Sequence, residues 1–128
     1  MSVAPADILA IASSLAQGVT EGEWRSAISR AYYAAFHGAT GWHDALPEPG
    51  NPDKARGEHE ALIQRLVHPG KSCSSTQIRT SRWLAGQLST LRAMRVEADY
   101  QLDRSVTQER ARQACASSGE VLAKIAEG

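Results

Sequence analysis

The chain has 128 residues, 42% of them hydrophobic and 22% charged, with fourteen basic residues balanced by fourteen acidic ones. That size and balance predict a single globular domain over residues 1–128, and exclude a disordered polyelectrolyte or a protein drawn to its partners by net charge. Two cysteines, Cys73 and Cys115, are too few for a secreted disulfide framework. No basic-then-apolar leader opens the chain and no stretch approaches about 18 uncharged apolar residues, so the expectation is a cytoplasmic protein with no membrane association.

Five helices are predicted in chain order. Residues 5–17 open on Pro5, suited to a first helical turn, and stop at Gly18, suited to a C-terminal cap. Thr20 and Glu23 form a T-x-x-E capping box before a long helix that reaches about His43. The loop LPEPGNP, with three prolines, separates it from a third helix expected from Asp53 to Val67. A fourth is expected from near Ser75 to Ala98 or Tyr100, and a fifth from Thr107 to Ala126. In the fifth, Ala111, Ala114, Cys115, Val121, Leu122 and Ile125 recur at helical spacing, and Ser118 fills the gap with a hydroxyl able to bond the carbonyl four residues back. No segment alternates with period two, so the fold expected is an all-α antiparallel bundle.

Charge is uneven along this chain. Between Lys54 and Val96 eight basic residues face two acids, and arginine outnumbers lysine eleven to three. Arginine's planar fork suits phosphate, so nucleic acid or nucleotide is a compatible partner, although solvated helix faces explain the same count.

Three anomalies stand against the apolar pattern. On the second helix Trp24, Ala27, Ile28, Ala31, Ala35, Ala39 and Trp42 form the core stripe, while Ser26, Arg30, Tyr33 and His37 share a sector on the other side. Arg30 and His37 lie about 10 Å apart along the axis. Tyr32 and Phe36 fall between the faces, giving an aromatic flank to a side expected to be wet. On the fourth helix the line Leu84, Leu88, Leu91 continues into Arg95, which needs an anionic partner; Asp99, four residues on, supplies one. Arg95 is either half of a structural ion pair or a second cation in the cleft of Arg30. On the third helix His59 shares a stripe with Ala55, Leu62 and Leu66, where a hydrogen-bonded core histidine is expected and proton transfer is the alternative.

Other motifs fail. HEALI lacks the second histidine of a zinc-protease helix, and the cysteines lack C-x-x-C spacing. HPGKS carries the tail of a phosphate-binding loop without its first glycine and follows a helix, so it reads as a turn. Neither a metal nor another cofactor is expected.

SRAYYAAFHGA in the second helix, followed about sixty residues later by LRAMRVEADY, resembles the HEPN domain family, in particular its small stand-alone prokaryotic members. The resemblance runs from Glu23 to the last helix. It implies an all-α bundle, commonly a homodimer, often paired with a small nucleotidyltransferase as toxin and antitoxin or in related defence systems. Active members are metal-independent ribonucleases marked by an arginine followed, after four to six residues, by a histidine. Arg30 and His37, with six residues between them, fit that spacing as the catalytic pair. The resemblance then has His37 activate the ribose 2′-hydroxyl and Arg30 stabilise the phosphorane, with Tyr33, Arg95, Asp99 and His59 binding or supporting. Two features depart from the family's nucleases: Ala31 stands where a polar residue usually follows the arginine, and the motif lies on the second helix rather than a later one. The alternative is a non-catalytic module that binds RNA, nucleotide or a nucleotidyltransferase partner.

Overall fold

The computed structural model describes residues 3–128. Five helices follow in order: α1 (Pro5–Ala16), α2 (Glu21–Asp44), α3 (Gly57–Val67), α4 (Ser75–Tyr100) and α5 (Gln108–Ala126). No strand occurs among the described residues. The all-helical bundle expected from the periodicity is therefore the fold.

Local chemistry sets most of the boundaries. Thr20 Oγ1 accepts from the Glu23 N–H at 3.2 Å, and Glu23 accepts from the Thr20 N–H at 3.1 Å, so the capping box starts α2 where expected. Ser74 and Gln77 make the equivalent pair for α4, and Thr107 caps α5. Gly18 ends α1 for a different reason from the one its position suggests. Its φ is not positive; a Cβ there would lie 2.4 Å from the Glu23 carboxylate, so any other residue would push that side chain out of its capping position.

The third helix starts four residues later than expected. Asp53 sits in the left-handed region at φ 54° and Gly57 at φ 80°, so helical backbone cannot run through 53–57. Ala55 consequently lies outside the helix, and the His59 stripe begins at His59 itself. The Arg56 N–H is instead held by Glu60 at 3.0 Å.

Contacts fix the directions. Arg25, at the start of α2, reaches the carbonyls of Glu97 and Ala98 at the end of α4, while Tyr33 further on meets Arg95; α2 and α4 are antiparallel. Gln108, at the start of α5, bonds the Ala16 carbonyl, and Leu122 and Ile125 lie against Gly38. Thus α5 runs alongside α2 in the same direction, across the middle of the bundle. Small residues allow that close approach: Ala27, Ala31, Ala35, Ala111 and Ala114 are fully buried. Among the described residues α2 is the helix that touches all four others. Helix α3 lies mainly on α4 and meets α2 where His59 packs on its rings.

Ser118 occupies the core line of α5, but its Oγ has no hydrogen-bond partner; the expected bond to the carbonyl four residues back is not made. Cys73 is buried, with its thiol 3.7 Å from the Glu48 carbonyl. The HPGKS turn does hold an anion on its backbone, but that anion is internal: Glu48 accepts from the N–H groups of Lys71 and Ser72.

Candidate functional site

The second face of α2 is only partly wet. Tyr32 and Phe36 are buried, with relative exposures of 0% and 5%, so these two rings belong to the core rather than to a solvent-facing flank. Tyr33 remains half-buried between exposed Arg30 and exposed His37. The Arg30 guanidinium lies 5.1 Å from the Tyr33 ring centroid, and the His37 ring stacks on Tyr33 at 6.2 Å. Among the described residues no hydrogen bond or ion pair engages either polar group, so both are free to meet a ligand.

Helix α4 brings a second cation to the same ring. Arg95 stands 5.3 Å from the Tyr33 centroid and donates to the Tyr33 hydroxyl at 3.0 Å. Its Nε donates to Asp99 at 2.9 Å, with the two side chains 15% and 27% exposed. Arg95 is thus an ion-pair partner of Asp99 whose guanidinium also lies against the Tyr33 ring that Arg30 contacts. Partial burial and a matched acceptor make this pair worth more than an ordinary surface salt bridge. Ser29 fixes the carboxylate from the α2 side, donating at 3.2 Å. Tyr100 adds a second ring, 5.3 Å from the Arg95 guanidinium and 66% exposed.

From α3, His59 closes the inner side. Its ring packs 4.6 Å from Phe36, 5.5 Å from Tyr32 and 5.9 Å from Tyr33. Its Nδ1 lies 2.6 Å from the Tyr32 hydroxyl, the core hydrogen bond that the pattern predicts. Burial pushes the Tyr32 phenol up to about 12, partly offset by Arg92 and Arg95, so it keeps its proton. Burial, followed by the charges of Arg95 and Arg92, holds His59 below its ordinary value. A protonated phenol beside a neutral imidazole donates to Nδ1 and leaves the ring proton on Nε2.

Arg30, His37, Arg95 and His59 thus contact the Tyr33 ring, with Asp99 behind Arg95. No family model, curated protein or solved structure matches the chain. What the site can do rests on its own chemistry. Two guanidiniums flank one ring, a third arginine stands close enough to act on Tyr32 and His59, and two imidazoles face the same aromatic group. Such a surface suits a phosphodiester and the bases beside it. Among the described residues no three His, Cys, Asp or Glu side chains converge to hold a metal, and no helix is long and apolar enough to cross a membrane.

Sequence reasoning missed several participants. Ser29 and Tyr100 carried signals in hindsight: Ser29 adjoins Arg30, and Tyr100 closes the RVEADY motif. Arg92 lies one turn before Arg95, and in the sequence it is one more cation of the basic segment. Arg25 gave no signal at all, because its acceptors are main-chain carbonyls at the far end of α4.

Proposed function

We propose that the chain is a HEPN-type endoribonuclease that cuts without a metal, in a toxin-antitoxin or defence setting, with Arg30 and His37 as its catalytic pair. The observation that carries this reading is the convergence of Arg30, His37 and Arg95 on the Tyr33 ring, with no hydrogen bond or ion pair engaging the first two among the described residues. A phosphodiester seated there would have its charge matched by guanidiniums and its ribose beside an imidazole.

In the proposed reaction His37 takes the proton of a ribose 2′-hydroxyl as O2′ bonds to the adjacent phosphorus. Arg30 stabilises the added charge of the pentacoordinate phosphorane. The P–O5′ bond then breaks, and the imidazolium returns its proton to the leaving oxygen. The products are a 2′,3′-cyclic phosphate and a 5′-hydroxyl. Arg95, held by Asp99 and the Tyr33 hydroxyl, positions the ring and adds field; His59 stays neutral and anchors Tyr32 beneath. The family resemblance also supports a homodimer and a nucleotidyltransferase partner.

The test is cleavage of single-stranded RNA in the presence of chelator. His37→Ala is expected to slow it about 10²–10⁴-fold, and Arg30→Ala about 10²–10³-fold, with helical circular dichroism preserved. Full activity in both variants would remove the pair from the mechanism. One observation favours the alternative module: Ala31 is fully buried, so the position after the arginine offers the site no polar group. RNA binding by wild type without any cleavage would establish that second reading.

A further inference from the structure

The Arg30 face does not stop at His37. Arg30, Tyr33, His37 and Gly41 follow one another at three- and four-residue steps, so they form a single line along α2. Beyond His37 that line opens into a groove of about 680 Å³ between the start of α1, the end of α2 and the end of α5. His37, Gly41, Trp42, Leu46, Gln77 and Ile125 are among its lining. His37 belongs to both places: its ring stacks on Tyr33 and it forms the near wall of the groove.

Gly41 opens the line at this point. A Cβ built there would meet nothing within 4 Å among the described residues, so no packing between them explains the missing side chain. Gly38 differs, since its Cβ would press on Leu122 at 2.6 Å. One glycine lets α5 approach; the other leaves empty space beside a histidine and a tryptophan.

The occupant must suit two neighbouring environments. At one end stands His37, with Arg30 about 10 Å behind it along the axis, which together favour an anion; about 6 Å beyond His37 stand apolar walls. An aliphatic ligand would leave the guanidinium unmatched, and a bare phosphate would leave the groove wet. A nucleotide has both ends, with its base one sugar away from its phosphate. We infer that this groove is a base-binding subsite for single-stranded RNA whose phosphate lies at Arg30 and His37. Trp42 offers the stacking face and the Gln77 amide nitrogen a donor for a base edge, the Gln77 oxygen being held by the Ser74 N–H. This rests on the ribonucleotide-binding reading of the Arg30 face and adds to it the place where a base is read.

The test uses a short 2′-O-methyl oligoadenylate, which cannot be cut, and the same sugar-phosphate chain without bases, each carrying a fluorescent label. Wild type is expected to bind the base-bearing strand about tenfold more tightly, on the order of one stacked base. Gly41→Leu, which fills the groove, is expected to bring the two affinities within about twofold by weakening only the base-bearing strand. Its unfolding midpoint should be no lower than that of wild type, because leucine is the better helix former. Equal wild-type affinity for both strands overturns the subsite, as does unchanged discrimination in Gly41→Leu. If the variant instead turns a dimer into a monomer with discrimination intact, the groove is a contact between copies and the inference falls. Absence of any RNA binding by wild type would sink the ribonucleotide reading together with this one; cleavage or binding without base discrimination would sink this one alone.

Discussion

Burial of Tyr32 and Phe36 leaves Tyr33 as the ring of the three that solvent reaches. Two arginines and two histidines consequently contact one ring, above the packed rings of Tyr32 and Phe36. His59 contributes to that packing through its neutral form. Since burial and the charges of Arg95 and Arg92 lower its folded value below 6.5, the unfolded chain takes up the proton first as pH falls. The His59 contribution to stability is therefore complete above 6.5 and is lost as pH drops through the lowered folded value. Urea unfolding of wild type and His59→Gln between about pH 7.5 and about pH 5.5 is expected to show the larger loss in wild type. An equal loss in both would place the titrating group elsewhere.

At the scale of helices, the site depends on how the end of α4 is held against the start of α2. Arg25 does this. It donates to the carbonyls of Glu97, Ala98 and Gln101 at 3.3, 2.9 and 3.3 Å and to that of Arg104, while its Nε pairs with Glu21 at 2.9 Å. Glu97 and Ala98 lie in the last turn of α4 and Gln101 and Arg104 just beyond it, so a guanidinium there ties the helix end to the following loop and opposes the negative end of the helix dipole. Arg25→Ala is expected to cost about 2 kcal/mol in chemical denaturation, with Arg25→Lys recovering part of it. A loss below about 0.5 kcal/mol would show that water serves those carbonyls as well. The helices themselves were legible because capping boxes and apolar periodicity are local. The start of α3 was not, since the left-handed Asp53 and Gly57 interrupt a segment whose composition still reads as helix.

For the whole molecule, zero net charge conceals an arrangement along α4. Arg79 and Arg82 lie near its start, whereas Arg92 and Arg95 lie near its other end, about 15 Å from Arg82 along the axis. The basic segment seen in the sequence is thus divided, and only its later part joins the Arg30 face. If RNA binds there, affinity should fall linearly with the logarithm of salt concentration, and Arg30→Ala should make that slope shallower by about one. An unchanged slope would mean that Arg30 contacts no phosphate. The sequence by itself determined the five helices, most of their boundaries and the residues that break the apolar pattern, because capping, periodicity and unpaired charge are properties of neighbours along the chain. Only the tertiary structure decided that Arg30 and Arg95 flank one ring, that Tyr32 and Phe36 are core, and that His59 bonds Tyr32. Those relations join helices tens of residues apart, and their geometry follows from the packing of small alanine faces rather than from spacing within any one helix.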